Sequence, residues 1–119
     1  MPKFALLIYE DEVAGPKPPS PEWRALWEAY VALDEEATAS GVLLDSQPFA
    51  SASTATAVSV RGGGVVRRAG PTWSTARQLT GYYLVECEDE SEAEVWALKI
   101  PAVSTGEVEI RRIMDGPAG

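Results

Sequence analysis

The candidate groups for proton transfer in this chain are carboxylates and a phenol, and the sequence holds no histidine and a single cysteine. Imidazole bases, Ser-His and Cys-His dyads and histidine-ligated metals are excluded. One cysteine supplies neither an intrachain disulfide nor a thiolate zinc site. That cysteine, Cys87, precedes Glu88, and acidic neighbours raise a thiol's pKa, which argues against a nucleophile. Glu10 and Asp11 leave an apolar strand at its end. A carboxylate there, beside a pocket, acts as a general base if burial raises its pKa; a solvated acidic turn is the ordinary alternative. Glu86 shares a strand face with Tyr82 and is a third candidate base, able to pair with Tyr82 or Arg68. Tyr82 and Arg77 are the candidates for stabilising an oxyanion, one through a hydroxyl and the other through a guanidinium. A structural hydrogen bond and a solvated side chain are their ordinary uses.

Candidate ligand contacts are aromatic. Trp23, Leu26, Trp27, Tyr30, Leu33 and Ala37 recur at three- and four-residue spacing, so they share one helix face. Packing against a sheet explains that face, and Trp27 and Tyr30 are also placed to wall an apolar ligand site. Trp73 stands in a polar loop beside Ser74, where periodicity does not account for it. It either covers a dimer seam or lids a pocket.

The elements that must position these residues follow from pattern. Phe4–Tyr9 is a short apolar run and reads as a buried strand. Ala14–Pro21 holds four prolines and is a loop. Ser20-Pro21-Glu22 starts a helix that ends near Gly41. Val42–Leu44 starts a short strand, and Gln47–Ala55 reads as a loop. Thr56–Arg61 and Val65–Arg68 form a hairpin around Gly62-Gly63-Gly64. Tyr82–Glu86 is a strand with Tyr82 and Tyr83 on opposite faces. Ser91 and Glu94 read as a capping box for a helix carrying Ala93, Trp96, Ala97 and Ile100 and stopping at Pro101. Glu107–Ile113 is the last strand. The order β-α-β-β-β-α-β predicts a ferredoxin-like α+β sheet with helices on one face. The other face needs cover, and a second copy of the chain is the expected cover, giving a homodimer.

Composition narrows the partners. A chain of 119 residues fits one domain, 1–119. The net charge of −8, from 18 acidic and 10 basic residues, opposes attraction to phosphate backbones and anionic lipid, so neither nucleic acid nor a membrane is an expected partner. No signal-peptide pattern opens the sequence and no apolar run reaches membrane-spanning length. A cytoplasmic location is the expectation.

Ala69–Glu86, AGPTWSTARQLTGYYLVE, resembles the signature of the YCII-related family in its DGPF-type branch. Gly70-Pro71, Gln78-Leu79 and Gly81-Tyr82-Tyr83 carry the resemblance, and residues 69–81 correspond to the signature loop. Family members open this segment with aspartate; Ala69 stands there, with Thr72 in place of the aromatic and Ser74 in place of the loop glutamate. Phe4–Glu12 is similar to the family's first strand and its acidic exit. Glu88–Ala93 with Trp96 and Ile100-Pro101-Ala102 is similar to its second helix. Gly106–Arg111 with Ile113-Met114-Asp115 is similar to its last strand, followed by a flexible tail, 114–119. The resemblance implies a dimeric α+β barrel with a pocket between sheet and helix. It implies reactions such as those of small-molecule lyases and dehydrochlorinases. The His-Asp pair proposed as catalytic in some branches has no counterpart here.

The expected function is a small dimeric enzyme, free of metal and organic cofactor. It performs elimination, isomerisation or cyclisation on a carbonyl- or lactone-type metabolite, and a biosynthetic pathway is a compatible setting. Glu10, Asp11 or Glu86 is the base, and Tyr82 or Arg77 steadies the oxyanion. A non-catalytic ligand-binding or regulatory module that has lost the motif acid is the alternative. A purely structural partner is a third reading.

Overall fold

Strict alternation organises the first strand of the computed structural model, which describes residues 1–117. Strand β1 (Lys3–Asp11) buries Phe4, Leu6 and Ile8 on one face. It is longer at both ends than the apolar run, so Glu10 and Asp11 lie within the strand rather than in a turn after it. Helix α1 (Pro21–Ala39) starts as its sequence requires: the Ser20 hydroxyl accepts the Trp23 N–H at 3.1 Å, and Pro21 occupies the first turn, where its missing N–H costs nothing. Leu33 and Ala37 are its buried residues.

Strand β2 (Leu43–Pro48) takes in Gln47, which the sequence assigns to a loop. A single 3₁₀ turn (Ala52–Thr54) leads to strands β3 (Thr56–Arg61) and β4 (Gly64–Ala69). Their hairpin turns on Gly62 and Gly63, both at positive φ, as a two-residue loop of this hand requires. Strand β5 spans Arg77–Glu86, five residues more than Tyr82–Glu86. Its polar start is held as strand by pairing, with Arg77 opposite Asp11 and Gln78 opposite Glu10. Tertiary pairing overrides local composition there, and the irregular part of the signature segment contracts to residues 70–76.

Helix α2 (Glu90–Ala97) is capped by Asp89, which accepts the Glu92 N–H at 2.9 Å, while the Glu92 carboxylate accepts the Glu88 N–H at 2.8 Å. The cap therefore falls two residues before the expected Ser91, because Asp89 and Glu92 also have the three-residue spacing. A second 3₁₀ turn (Pro101–Ser104) and strand β6 (Glu107–Arg112) close the order. The expected tail begins beyond β6, and its residues 118 and 119 lie outside the described residues.

The main sheet runs β2-β5-β1-β6, every neighbouring pair antiparallel. Two split β-α-β units interleave, each receiving a strand of the other between its own pair, which is the ferredoxin-like arrangement. Both helices cover one face. Phe4, Leu6, Tyr83, Val85 and Cys87 meet Leu33, Ala37, Ala93, Trp96, Ala97 and Ile100 there, and this core contains no buried polar or charged residue. Gly106 abuts β1 so closely that an added Cβ would lie 2.1 Å from the Tyr9 carbonyl oxygen. The β3–β4 hairpin forms a separate two-stranded sheet.

Candidate functional site

A register shift in the sheet builds the site. Ile8 pairs with Gly81 but Tyr9 pairs with Leu79, so Thr80 is an extra residue on β5. Bulges of this kind re-aim side chains and recur beside active sites. Here the Thr80 hydroxyl lies 2.9 Å from Glu10 Oε1, to which it donates, and 3.4 Å from the Ile8 carbonyl oxygen. On β1 the alternation is unbroken. Glu10 therefore follows Phe4, Leu6 and Ile8 onto the helix-covered face, and Asp11 turns away.

Glu10 enters a cavity of about 400 Å³ between α1 and the β2-β5-β1 part of the sheet, a size typical of small-molecule sites. The wall from α1 carries Trp23, Trp27, Tyr30 and Asp34. The two tryptophan rings stack at 5.5 Å with planes 29° apart. Across from them stand Ser46, Phe49, Tyr82 and Tyr83, with the Gly81 backbone beneath.

Two acid–phenol contacts set the electrostatics. The Tyr83 hydroxyl donates to Asp34 Oδ1 at 2.5 Å, and the Ser46 hydroxyl donates to Asp34 Oδ2 at 3.4 Å. Burial first, and then Asp34, push the Tyr83 phenol far above its ordinary value. The Tyr30 phenol is pushed up to about 12, chiefly by burial and then by the charge of Glu10, against an opposing backbone hydrogen bond at Ala102. Both phenols therefore stay protonated donors across the physiological range. Tyr83 spends its proton on Asp34. Among the described residues no hydrogen bond donated by the Tyr30 hydroxyl to a protein acceptor is found, and Tyr30 lines the cavity. Tyr82 also lines the cavity, but its hydroxyl donates to Asp45 at 2.5 Å. That bond raises the Tyr82 pKa and lowers that of Asp45.

The structure thus brings together Glu10, Trp27 and Tyr30; Tyr82 borders the cavity, but strand alternation turns its side chain to the face of Leu7 and Leu84, and the other candidates lie apart. Asp11 is exposed and accepts the Val13 N–H at 2.9 Å, closing the turn after β1. Glu86 lies at the far end of β5, opposite Lys3, and makes no side-chain bond to Tyr82 or Arg68. Arg68 instead donates to the Pro71 and Thr72 carbonyls.

Arg77 and Trp73 line a second, wider cleft with Tyr9, Phe49, Gln78 and Leu79. Arg77 makes a 3.8 Å ion pair with Glu107 there, both side chains well exposed, a geometry worth little in free energy. Trp73 is 75% exposed, and its carbonyl accepts the Gln78 side-chain N–H at 2.7 Å. Ser74 is exposed and borders neither cavity. Ala69, where the signature carries its acid, ends β4 and also lies outside both. Cys87 is buried, and burial followed by Glu92 and Asp89 raises its pKa.

Asp34 is the site residue that sequence reasoning missed. Its signal was present: it stands four residues after Tyr30 and seven after Trp27, an acid set into the apolar stripe of α1. Thr80 carried no such signal, because the bulge arises from pairing between strands distant in sequence. Among the described residues no three of His, Cys, Asp or Glu converge to hold a metal ion, and no helix is long and apolar enough to cross a membrane. A family model described as the YCII-related domain matches residues 2–116. No curated protein matches the chain.

Proposed function

The chain belongs to the YCII-related domain family, and on that premise we propose that it is a small dimeric enzyme of proton-transfer chemistry. Its substrate is a small carbonyl- or lactone-type metabolite, which it carries through elimination, isomerisation or cyclisation. The observation that carries this reading is that Glu10 and Tyr30 line one cavity together with the aromatic side chains of Trp23, Trp27 and Phe49. Glu10 removes a proton from the carbon next to the carbonyl. Tyr30 donates a hydrogen bond to the oxyanion that forms. Thr80 holds one Glu10 oxygen by a hydrogen bond and leaves the other for the substrate. Neither metal nor organic cofactor is needed for these steps.

Benzylacetone, a neutral aromatic ketone, provides the test. In deuterium oxide the wild-type protein should wash deuterium into its α positions faster than buffer does, read by proton NMR. Tyr30→Phe should slow that exchange by roughly a hundredfold, the lower end of what one oxyanion donor contributes. Ketone binding without exchange above the buffer rate would instead support a non-catalytic binding or regulatory module.

The homodimer belongs to the same proposal. The open face of the sheet presents Leu7, Tyr9, Leu79 and Leu84, none of them fully buried. The β3–β4 hairpin exposes Val58, Val60 and Val65 by 60% or more. A second copy covers these surfaces in the proposed assembly.

A further inference from the structure

We propose that the occupant of the α1–sheet cavity is a hydrophobic amine whose ammonium sits at Asp34, against the faces of Trp27 and Tyr30. This deepens the functional reading above, rests on the same cavity, and identifies the charge its substrate carries. The cavity lining includes two carboxylates, Glu10 and Asp34, six aromatic side chains, and no lysine or arginine. The ion pairs among the described residues lie elsewhere, at Arg77–Glu107, Lys99–Glu36 and Arg111–Glu109. Both cavity carboxylates therefore face the ligand without a protein countercharge.

The physical consequence is a choice among three ligand classes. An anion meets two like charges and only neutral donors: hydroxyls, indole N–H groups and the Gln47 amide. A neutral ligand expels water from the carboxylates and leaves them unpaired, which is costly in a space of lowered dielectric. A cation replaces the lost hydration directly. An ammonium offers three donors and no acceptor. Asp34 accepts one bond from Tyr83 and a long one from Ser46, leaving lone pairs free. Tyr30 and Trp27, one and two turns earlier on α1, line the same cavity as Asp34, and aromatic walls beside a carboxylate favour a cation. Asp34 thus binds the ammonium, while Glu10 and Tyr30 remain for the reacting end.

Three isosteric probes decide this: phenylpropylammonium, phenylpropanol and phenylpropanoate, titrated by calorimetry with tryptophan fluorescence as a second readout. The ammonium should bind at least about tenfold more tightly than the alcohol, and the carboxylate should not bind. Asp34→Asn should abolish the preference for the ammonium, and Glu10→Gln should reduce it by less. Circular dichroism confirms that each variant is folded. Should Asp34→Asn fail to fold, loss of the ammonium preference with rising salt in the wild type, alcohol binding unchanged, is the expected result in its place. Equal binding of alcohol and ammonium, or a larger loss in Glu10→Gln than in Asp34→Asn, overturns the assignment while leaving the cavity as the ligand site. If no probe perturbs the protein, the cavity reading falls with it.

Discussion

At the scale of single residues, the site depends on phenols that keep their protons. Tyr83 anchors Asp34 through a 2.5 Å hydrogen bond. Tyr83→Phe should destabilise the fold by about 1–2 kcal/mol, near the low end for a bond to a charged acceptor because Asp34 is only half-buried. Urea denaturation checks this, and a loss below ~0.5 kcal/mol would mean the bond contributes little. Tyr30 makes a pH prediction with a definite sign. Its phenol titrates at about 12 in the folded protein against 10.0 for the ordinary group. The unfolded chain thus releases the proton first, and the stabilisation is complete below pH 10 and lost as pH rises through 12. The urea midpoint of the wild type should fall more steeply over that window than that of Tyr30→Phe. Parallel curves would show that burial of Tyr30 is not coupled to folding.

At the scale of elements, alternation and helix periodicity made much of the site legible. Phe4, Leu6, Ile8 and Glu10 form one period-two series, so the sequence already distinguishes Glu10 from Asp11 by face. The Trp27–Tyr30–Asp34 spacing likewise marks Asp34. Thr80 and the polar start of β5 were not legible, because both are set by pairing with β1 some seventy residues away. The β2 extension is of the same kind: Gln47 becomes strand only by lying opposite Tyr82. That crossing also explains a glycine in the signature segment. A Cβ on Gly81 would stand 2.8 Å from the Gln47 carbonyl oxygen and 3.3 Å from the Pro48 Cα, both backbone atoms. Gly81→Ala should therefore cost about 1–3 kcal/mol by forcing β2 outward. It should also loosen ligand binding, since both strands line the cavity. Unchanged thermal stability would show that β2 yields without strain.

For the whole molecule, the radius of gyration of 16.4 Å exceeds the roughly 13.5 Å expected of a compact chain this long. The β3–β4 hairpin forms a sheet of its own, and an isolated two-stranded hairpin is marginal in water. It also segregates charge. Residues 56–69 hold Arg61, Arg67 and Arg68 and no acid, so without these three arginines the net charge would be −11 rather than −8. A basic, valine-faced arm on an acidic body fits the body of a second copy. Sedimentation equilibrium at micromolar concentration should give a dimer. Val60→Asp, at a 62% exposed site, should shift it toward monomer without changing the circular dichroism. A monomeric wild type would contradict the assembly. In the proposed reaction the reacting groups come from one protomer, and the central claim is that a single carboxylate is the base. Deuterium exchange into benzylacetone, compared across Glu10→Gln, Asp11→Asn and Glu86→Gln, tests that claim most directly. Glu10→Gln alone should lower the rate, by at least about a hundredfold. Exchange that survives in Glu10→Gln, or falls as far in either other variant, would contradict it.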